Sequence, residues 1–91
     1  MKAVVTVIGK DKIGIISKVT STLAENQINV LDISQTILQD YFTMIMIVDL
    51  QKINCSFEAI QQKLSNIGEY LGVSIKIQHE EIFEAMHKIS Q

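Results

Sequence analysis

Apolar positions along this chain switch between a two-residue and a helical period, and the switches divide it into elements. Residues 3–8, AVVTVI, are short, β-branched and bounded by Gly9, the pattern of a strand. From Gly14 to about Asn26 the apolar Ile16, Val19, Leu23 and Ala24 recur at helical spacing, and Asn26 to Asn29 end the helix. Residues 28–38, INVLDISQTIL, alternate as a one-sided strand, with Leu31, Ile33 and Ile37 on one face and Asp32, Ser34 and Thr36 mostly on the other. Gln39 and Asp40 turn the chain into its hairpin partner, YFTMIMIVDL at 41–50. Ser56 caps a second helix with Glu58 in its first turn, Phe57, Ile60, Leu64, Ile67 and Leu71 form its apolar stripe, and Gly72 stops it. In residues 73–78, VSIKIQ, Val73, Ile75 and Ile77 point inward, and EEIFEAMHKI at 80–89 makes a short amphipathic helix presenting Ile82, Met86 and Ile89.

The order β-α-β-β-α-β plus a tail helix predicts an α+β fold, the ferredoxin-like βαββαβ sandwich with an antiparallel sheet and both helices on one face. Strands one and three belong at its centre, since Phe42, Met44, Met46 and Val48 oppose Ile45 and Ile47, and Val5 and Val7 oppose Val4 and Ile8. The sheet face away from the helices is then apolar over its central strands and is expected to be covered by both the tail helix and a second subunit, because a ten-residue helix is too narrow for four strands. No linker or repeat interrupts the chain. The expected organisation is one domain over 1–91, with a core at 1–79 and a helical tail at 80–91.

Composition narrows the chemistry. Of 91 residues 47% are hydrophobic and none is proline, which excludes a disordered chain. A net charge of -2, with lysine the only strong base, argues against a nucleic-acid partner. Cys55 is the only cysteine, so neither an internal disulfide nor a cysteine-based metal or iron-sulfur site can form, and no cofactor is expected. No run approaches the ~18 apolar residues of a membrane span, and MKAVVTVIG carries no cleavage pattern, so a cytoplasmic protein is expected. Phosphate hydrolysis in the manner of an acylphosphatase needs an arginine in the first loop, metal carriage needs a Cys-x-x-Cys there, and base stacking needs aromatics on the central strands. This chain has neither of the first two, and of the third only Tyr41 and Phe42 at the start of strand three. No nucleophile–base constellation is visible, so catalytic residues are not expected.

Two segments carry candidate chemistry. In the tail, Glu80, Glu84 and His87 share a helical face, with His79 just before it. Glu84-Ala-Met-His87 has the Glu-x-x-His spacing of carboxylate-bridged metal sites, but the other helices supply no matching ligands, and a solvated polar face accounts for the same residues; no metal is expected. The other segment is Gly9-Lys-Asp-Lys-Ile-Gly14. A glycine-bounded turn feeding a helix exposes backbone N–H groups where a carboxylate can dock, while Asp11 either caps the helix or pairs with a ligand ammonium. The glycines alternatively serve only the turn.

The pattern Gly9-Lys-Asp-Lys-Ile-Gly14-Ile-Ile, the helix end Leu23-Ala-Glu-Asn26, then Ile28-Asn29-Val30 and Asp32-Ile-Ser resembles an ACT domain, the small regulatory module of many amino-acid-metabolism enzymes. The whole chain, including TMIMIVDL and IQHEEIF, resembles more narrowly a prokaryotic family of stand-alone single-ACT proteins. The resemblance implies a homodimer formed side by side through strand two and helix one, with an amino acid or other small metabolite bound between subunits. By position its contacts would be Gly9, Asp11, Lys12, Ile13 and Gly14 in the loop and Asn29 and Val30 on the strand. Gly9 replaces a residue that is often polar in amino-acid-binding members, and Ile13 replaces a common proline. The expected function is non-catalytic regulation through an unidentified protein partner; the alternative is a ligand-free assembly adaptor.

Overall fold

In the computed structural model, which describes residues 1–10 and 13–87, β1 (Lys2–Lys10) and β3 (Tyr41–Asp49) pair antiparallel along their whole lengths. Both strands are apolar on both faces, so they take the centre of a four-stranded antiparallel sheet ordered β2-β3-β1-β4, with β2 (Asn29–Leu38) and β4 (Ser74–His79) at its edges. One face is sealed by α1 (Ile15–Glu25) and α2 (Phe57–Leu71). There Val5, Val7, Met44, Met46 and Val48 meet Val19, Leu23, Ile60 and Leu64, all fully buried. Side chains on the other parity of the same strands line the opposite face.

The inward stripe of α1 differs from the one its periodicity suggests. Ile15, Val19, Thr22 and Leu23 are buried, while Ile16 and Ala24 face solvent. The polar Thr22 is admitted because its hydroxyl donates to the Lys18 carbonyl at 2.8 Å, so no polar group is left unpaired.

The end of α1 is tied down by Asn26. Its side chain is buried, its Nδ2 donates to the Thr22 carbonyl at 2.7 Å, and its Oδ1 accepts from Lys63 Nζ at 2.9 Å and from Cys55 Sγ at 3.4 Å. The Asn54 N–H donates to its main-chain carbonyl at 3.2 Å. One amide therefore joins α1, the segment before α2 and α2 itself.

Ser56 caps α2 as expected, its Oγ accepting from the Ala59 N–H at 3.0 Å, and Gly72 ends the helix at φ 75. After β4 the chain enters α3 (Glu80–His87), which packs on β1 and β4 across the open face of its own sheet and buries Val4. The cover is partial: Ile8 and Ile45 remain 50% and 37% exposed. The predicted continuation of this helix to Ile89 lies outside the described residues, as do Asp11 and Lys12. The ring of His79 stacks on Phe57, centroids 4.0 Å apart, and so fastens the end of β4 to the start of α2. No helix of the described residues is long and apolar enough to cross a membrane.

Replacing Asn26 by alanine removes its contacts with Thr22, Cys55 and Lys63 and frees the end of α1. The expected cost is about 1–3 kcal/mol, read as a lower urea midpoint with an unchanged slope.

Candidate functional site

The residues singled out from sequence fall at opposite ends of the sheet. Gly9 and Lys10 close β1 beside Phe42 and Tyr41, which pair in turn with Ile37 and Leu38 at the end of β2. Asn29 opens β2 and pairs with Asp49, which lies across from Lys2 at the start of β1. By strand rise the two ends are roughly 25 Å apart. Within one chain, then, the loop and Asn29 do not meet.

At the loop end, Gly9 is a strand residue and not part of the turn. A Cβ placed on it would sit 2.6 Å from Val73 Cγ1, so the position is glycine because the α2–β4 connection presses against it. A polar side chain there would not fit. Ile13 is fully exposed, and Gly14 takes φ 91 as the residue before α1, offering no side chain to cap that helix. Gly14 makes no side-chain cap hydrogen bond to the first turn of α1, whose N–H groups are of the kind that receive a carboxylate.

At the other end, a bulge decides what faces where. Pairing between β2 and β3 is regular from the Gln39–Asp40 turn down to Asp32 opposite Ile47, then shifts so that Val30 lies opposite Val48 and Leu31 is the extra residue. Ile33 and Ile37 consequently share a face with Val30, and Leu31 drops out of the row that simple alternation assigned it. That row is on the helix-covered side of the sheet, but no helix reaches the edge, and Ile33 and Ile37 stay 43% and 58% exposed. Apart from the half-buried Val30, every residue of β2 is exposed. Asn29 and Val30 point to opposite faces, Val30 toward the core and Asn29 beside Asp49.

Around Asn29 the chain forms a cleft of about 280 Å³ lined by Gln27, Asn29, Asp49, Gln51 and Lys52. Its walls are built locally. α1 ends in a Schellman turn, with Ile28 N–H donating to the Leu23 carbonyl at 2.9 Å and Gln27 N–H to that of Ala24 at 3.0 Å, which puts Gln27 at φ 58. Asp49 Oδ1 accepts from the Gln51 N–H at 2.9 Å and folds the loop back over the strand end. Sequence reading found Asn29 but not its four neighbours, because the lining comes from two separate stretches, 27–29 and 49–52, that only the shifted register brings together. Elsewhere, Glu80 and Glu84 lie on α3 as expected, but among the described residues no three His, Cys, Asp or Glu side chains converge to hold a metal.

A four-stranded antiparallel sheet of order β2-β3-β1-β4 with two helices on one face defines a ferredoxin-like βαββαβ sandwich. A model of the ACT domain matches residues 2–78, and the chain belongs to the ACT domain family. It is 58% identical over 89 residues to a UPF0237 protein of Clostridium acetobutylicum, covering 98% of this chain and all of the relative, and 55% identical over the same length to one of Lactococcus lactis, covering 98% and 100%. Among solved structures it is similar to an ACT domain protein from Streptococcus pneumoniae, with TM-score 0.78 and 44% identity over 96% of this chain and 98% of that one.

Two substitutions should move stability in opposite directions. Gly9→Ala forces Val73 aside and is expected to cost about 1–3 kcal/mol. Gln27→Gly relieves a left-handed non-glycine residue and is expected to add about 0.5–1 kcal/mol. Thermal melts of both variants beside the parent check the pair.

Proposed function

We propose that this chain is a non-catalytic regulatory ACT protein that binds a small metabolite, an amino acid, between two copies of itself in the cytoplasm and signals occupancy to a protein partner. One domain spans 1–91, its core at 1–79 and its tail at 80–91. The observation that carries the reading is the separation of the loop from Asn29. Antiparallel pairing of β2 with the β2 of a second copy sets the start of one strand beside the end of the other. The partner's Asn29 would then approach the Gly9–Gly14 loop, and a site split within the chain would be whole in the dimer. The exposed edge with Ile33, Ile37 and Leu38 supports such pairing, since an uncovered apolar edge strand is a template for another strand.

Ligand contacts fall to the loop residues Gly9, Asp11, Lys12, Ile13 and Gly14 of one copy and to Asn29 and Val30 of the other. Gly9 and Val30 contribute through their backbone, since the first has no side chain and the second turns inward. Occupancy shifts assembly or partner binding only by the ligand's different affinity for the two states.

Sedimentation at micromolar concentration should give a dimer, and the double substitution Ile33→Lys, Ile37→Lys should give a monomer; a parent monomer overturns the reading. In a thermal-shift panel of the twenty amino acids, a ligand at 100 times its Kd adds about 2.7 kcal/mol, and Asn29→Ala should abolish the gain. A stable dimer that responds to none of them is instead the assembly adaptor.

A further inference from the structure

The sheet face away from α1 and α2 is left partly open. α3 lies on it over β1 and β4 and buries Val4, but no described residue covers the rows between Val4 and the Gln39–Asp40 turn. There Ile8, Ile45, Tyr41 and Leu38 are exposed. Val7, Phe42, Met44 and Met46, which alternate with the first three, are buried under the helices, and Leu38 lies opposite Tyr41 in register, so all four turn to the open side. Thr6 and Thr43 stand among them with short side chains, which keeps the patch flat as well as apolar.

This patch is complementary to a second copy of itself turned end for end. α3 rises about 10 Å from the sheet, the spacing of two stacked sheets, so a copy laid with its strands running the same way would drive its β2 and β3 into that helix. Reversed about a two-fold axis through the row of Ile8 and Thr43, the copy clears it, and each α3 stands beyond the hairpin end of the other molecule. Ile8 then meets the partner's Ile8, and Ile45 meets the partner's Tyr41. The charges agree with this orientation. α3 carries Glu80, Glu81 and Glu84; Lys2 lies beside the first two, and Glu84 is exposed a turn further on. At the hairpin end Lys10 is paired with Asp40 at 3.8 Å, both side chains largely exposed, a pair worth little and free to exchange for a carboxylate of the partner's α3.

We propose that this open face is a second self-association surface, on which another copy stacks sheet to sheet and end for end, and that edge-paired dimers join through it into tetramers. Antiparallel pairing of two β2 edges needs a two-fold axis perpendicular to the sheet, which puts both open faces on one side. One patch spans about 20 Å along the strands and about 15 Å across them, so two facing patches cover roughly 600 Å² together, too little for a stable dimer. An edge dimer presents two patches side by side, and stacking of dimers doubles the area to roughly 1,200 Å², the lower bound of specific interfaces. The association therefore depends on concentration, absent in the micromolar range and present well above it. The proposal goes beyond the metabolite site and takes the edge dimer as its unit.

The test is sedimentation of the full chain from about 5 µM to about 1 mM, with ¹H–¹⁵N NMR over the same range. The mass should rise from dimer to tetramer, and the backbone signals of residues 6–10 and 41–45 should move with concentration. Ile8→Lys with Ile45→Lys should hold the mass at that of a dimer throughout. The milder Ile8→Thr with Ile45→Thr, which keeps β-branched residues in both strands, should weaken tetramer formation roughly tenfold. Lys10→Glu should weaken it severalfold, and Lys10→Glu with Glu84→Lys should restore it, an exchange that the end-for-end orientation requires. A parent whose mass does not rise with concentration, face variants that associate as the parent does, a charge exchange that restores nothing, or signals that move on α1 and α2 instead each overturn the inference. In the first case a constant dimer leaves the edge reading standing. A parent that is monomeric at low concentration and dimerises only while Ile8 and Ile45 are intact upholds the face and overturns the edge.

Discussion

Everything in this fold is referred to the pairing of β1 with β3. The two strands are not adjacent in sequence, and β1 ends up central because it alone bonds to both β3 and β4. Its odd-numbered residues Val5 and Val7 meet Met44 and Met46 of β3 under the helices, and its even-numbered Val4 meets Ile47 on the other face, under α3. Burying the helix-side face of two neighbouring strands supplies the centre of the core, and α1 and α2 are positioned by that surface.

The edge strand obeys a different rule. β2 receives little from the helices, and its fixed points are the turn at Gln39, which takes the φ of 59 that a tight hairpin demands, and the bulge at Leu31. Without the bulge the register set by the turn would place Asn29 opposite Leu50 and aim it at the core side. With it, Asn29 comes to Asp49, and the α1–β2 and β3–α2 connections close around both. A single additional residue in one strand thus determines which side chains share the cleft.

The element order, the central placement of β1 and β3, the Ser56 cap and the Gly72 stop were legible in the sequence, since each rests on a local pattern: period, cap or turn residue. The inward face of α1 was misread by one residue because Thr22, polar in the sequence, hides its hydroxyl on a carbonyl of the preceding turn and occupies a core position. The face of Leu31 was misread because a bulge leaves no compositional mark. Gly9 was identified as a turn glycine, whereas its reason lies sixty-four residues away at Val73. The membership of the Asn29 cleft was unreadable for the same cause: Asp49, Gln51 and Lys52 belong to a stretch distant from Asn29 along the chain, and local spacing carries no information about that pairing.

The two edges of the sheet are unequal in a way that bears on how copies of this protein behave when crowded. β2 is ten residues long, exposed and apolar along one row, while β4 is six residues long, turns Lys76 outward from its middle and runs directly into α3. Strand addition at β2 by a second β2 consumes the inviting edge of both molecules and leaves only the short, charged edges at the ends of the enlarged sheet. Growth by that route terminates at two, because a filament needs a second adhesive edge and β4 is poorly suited to be one.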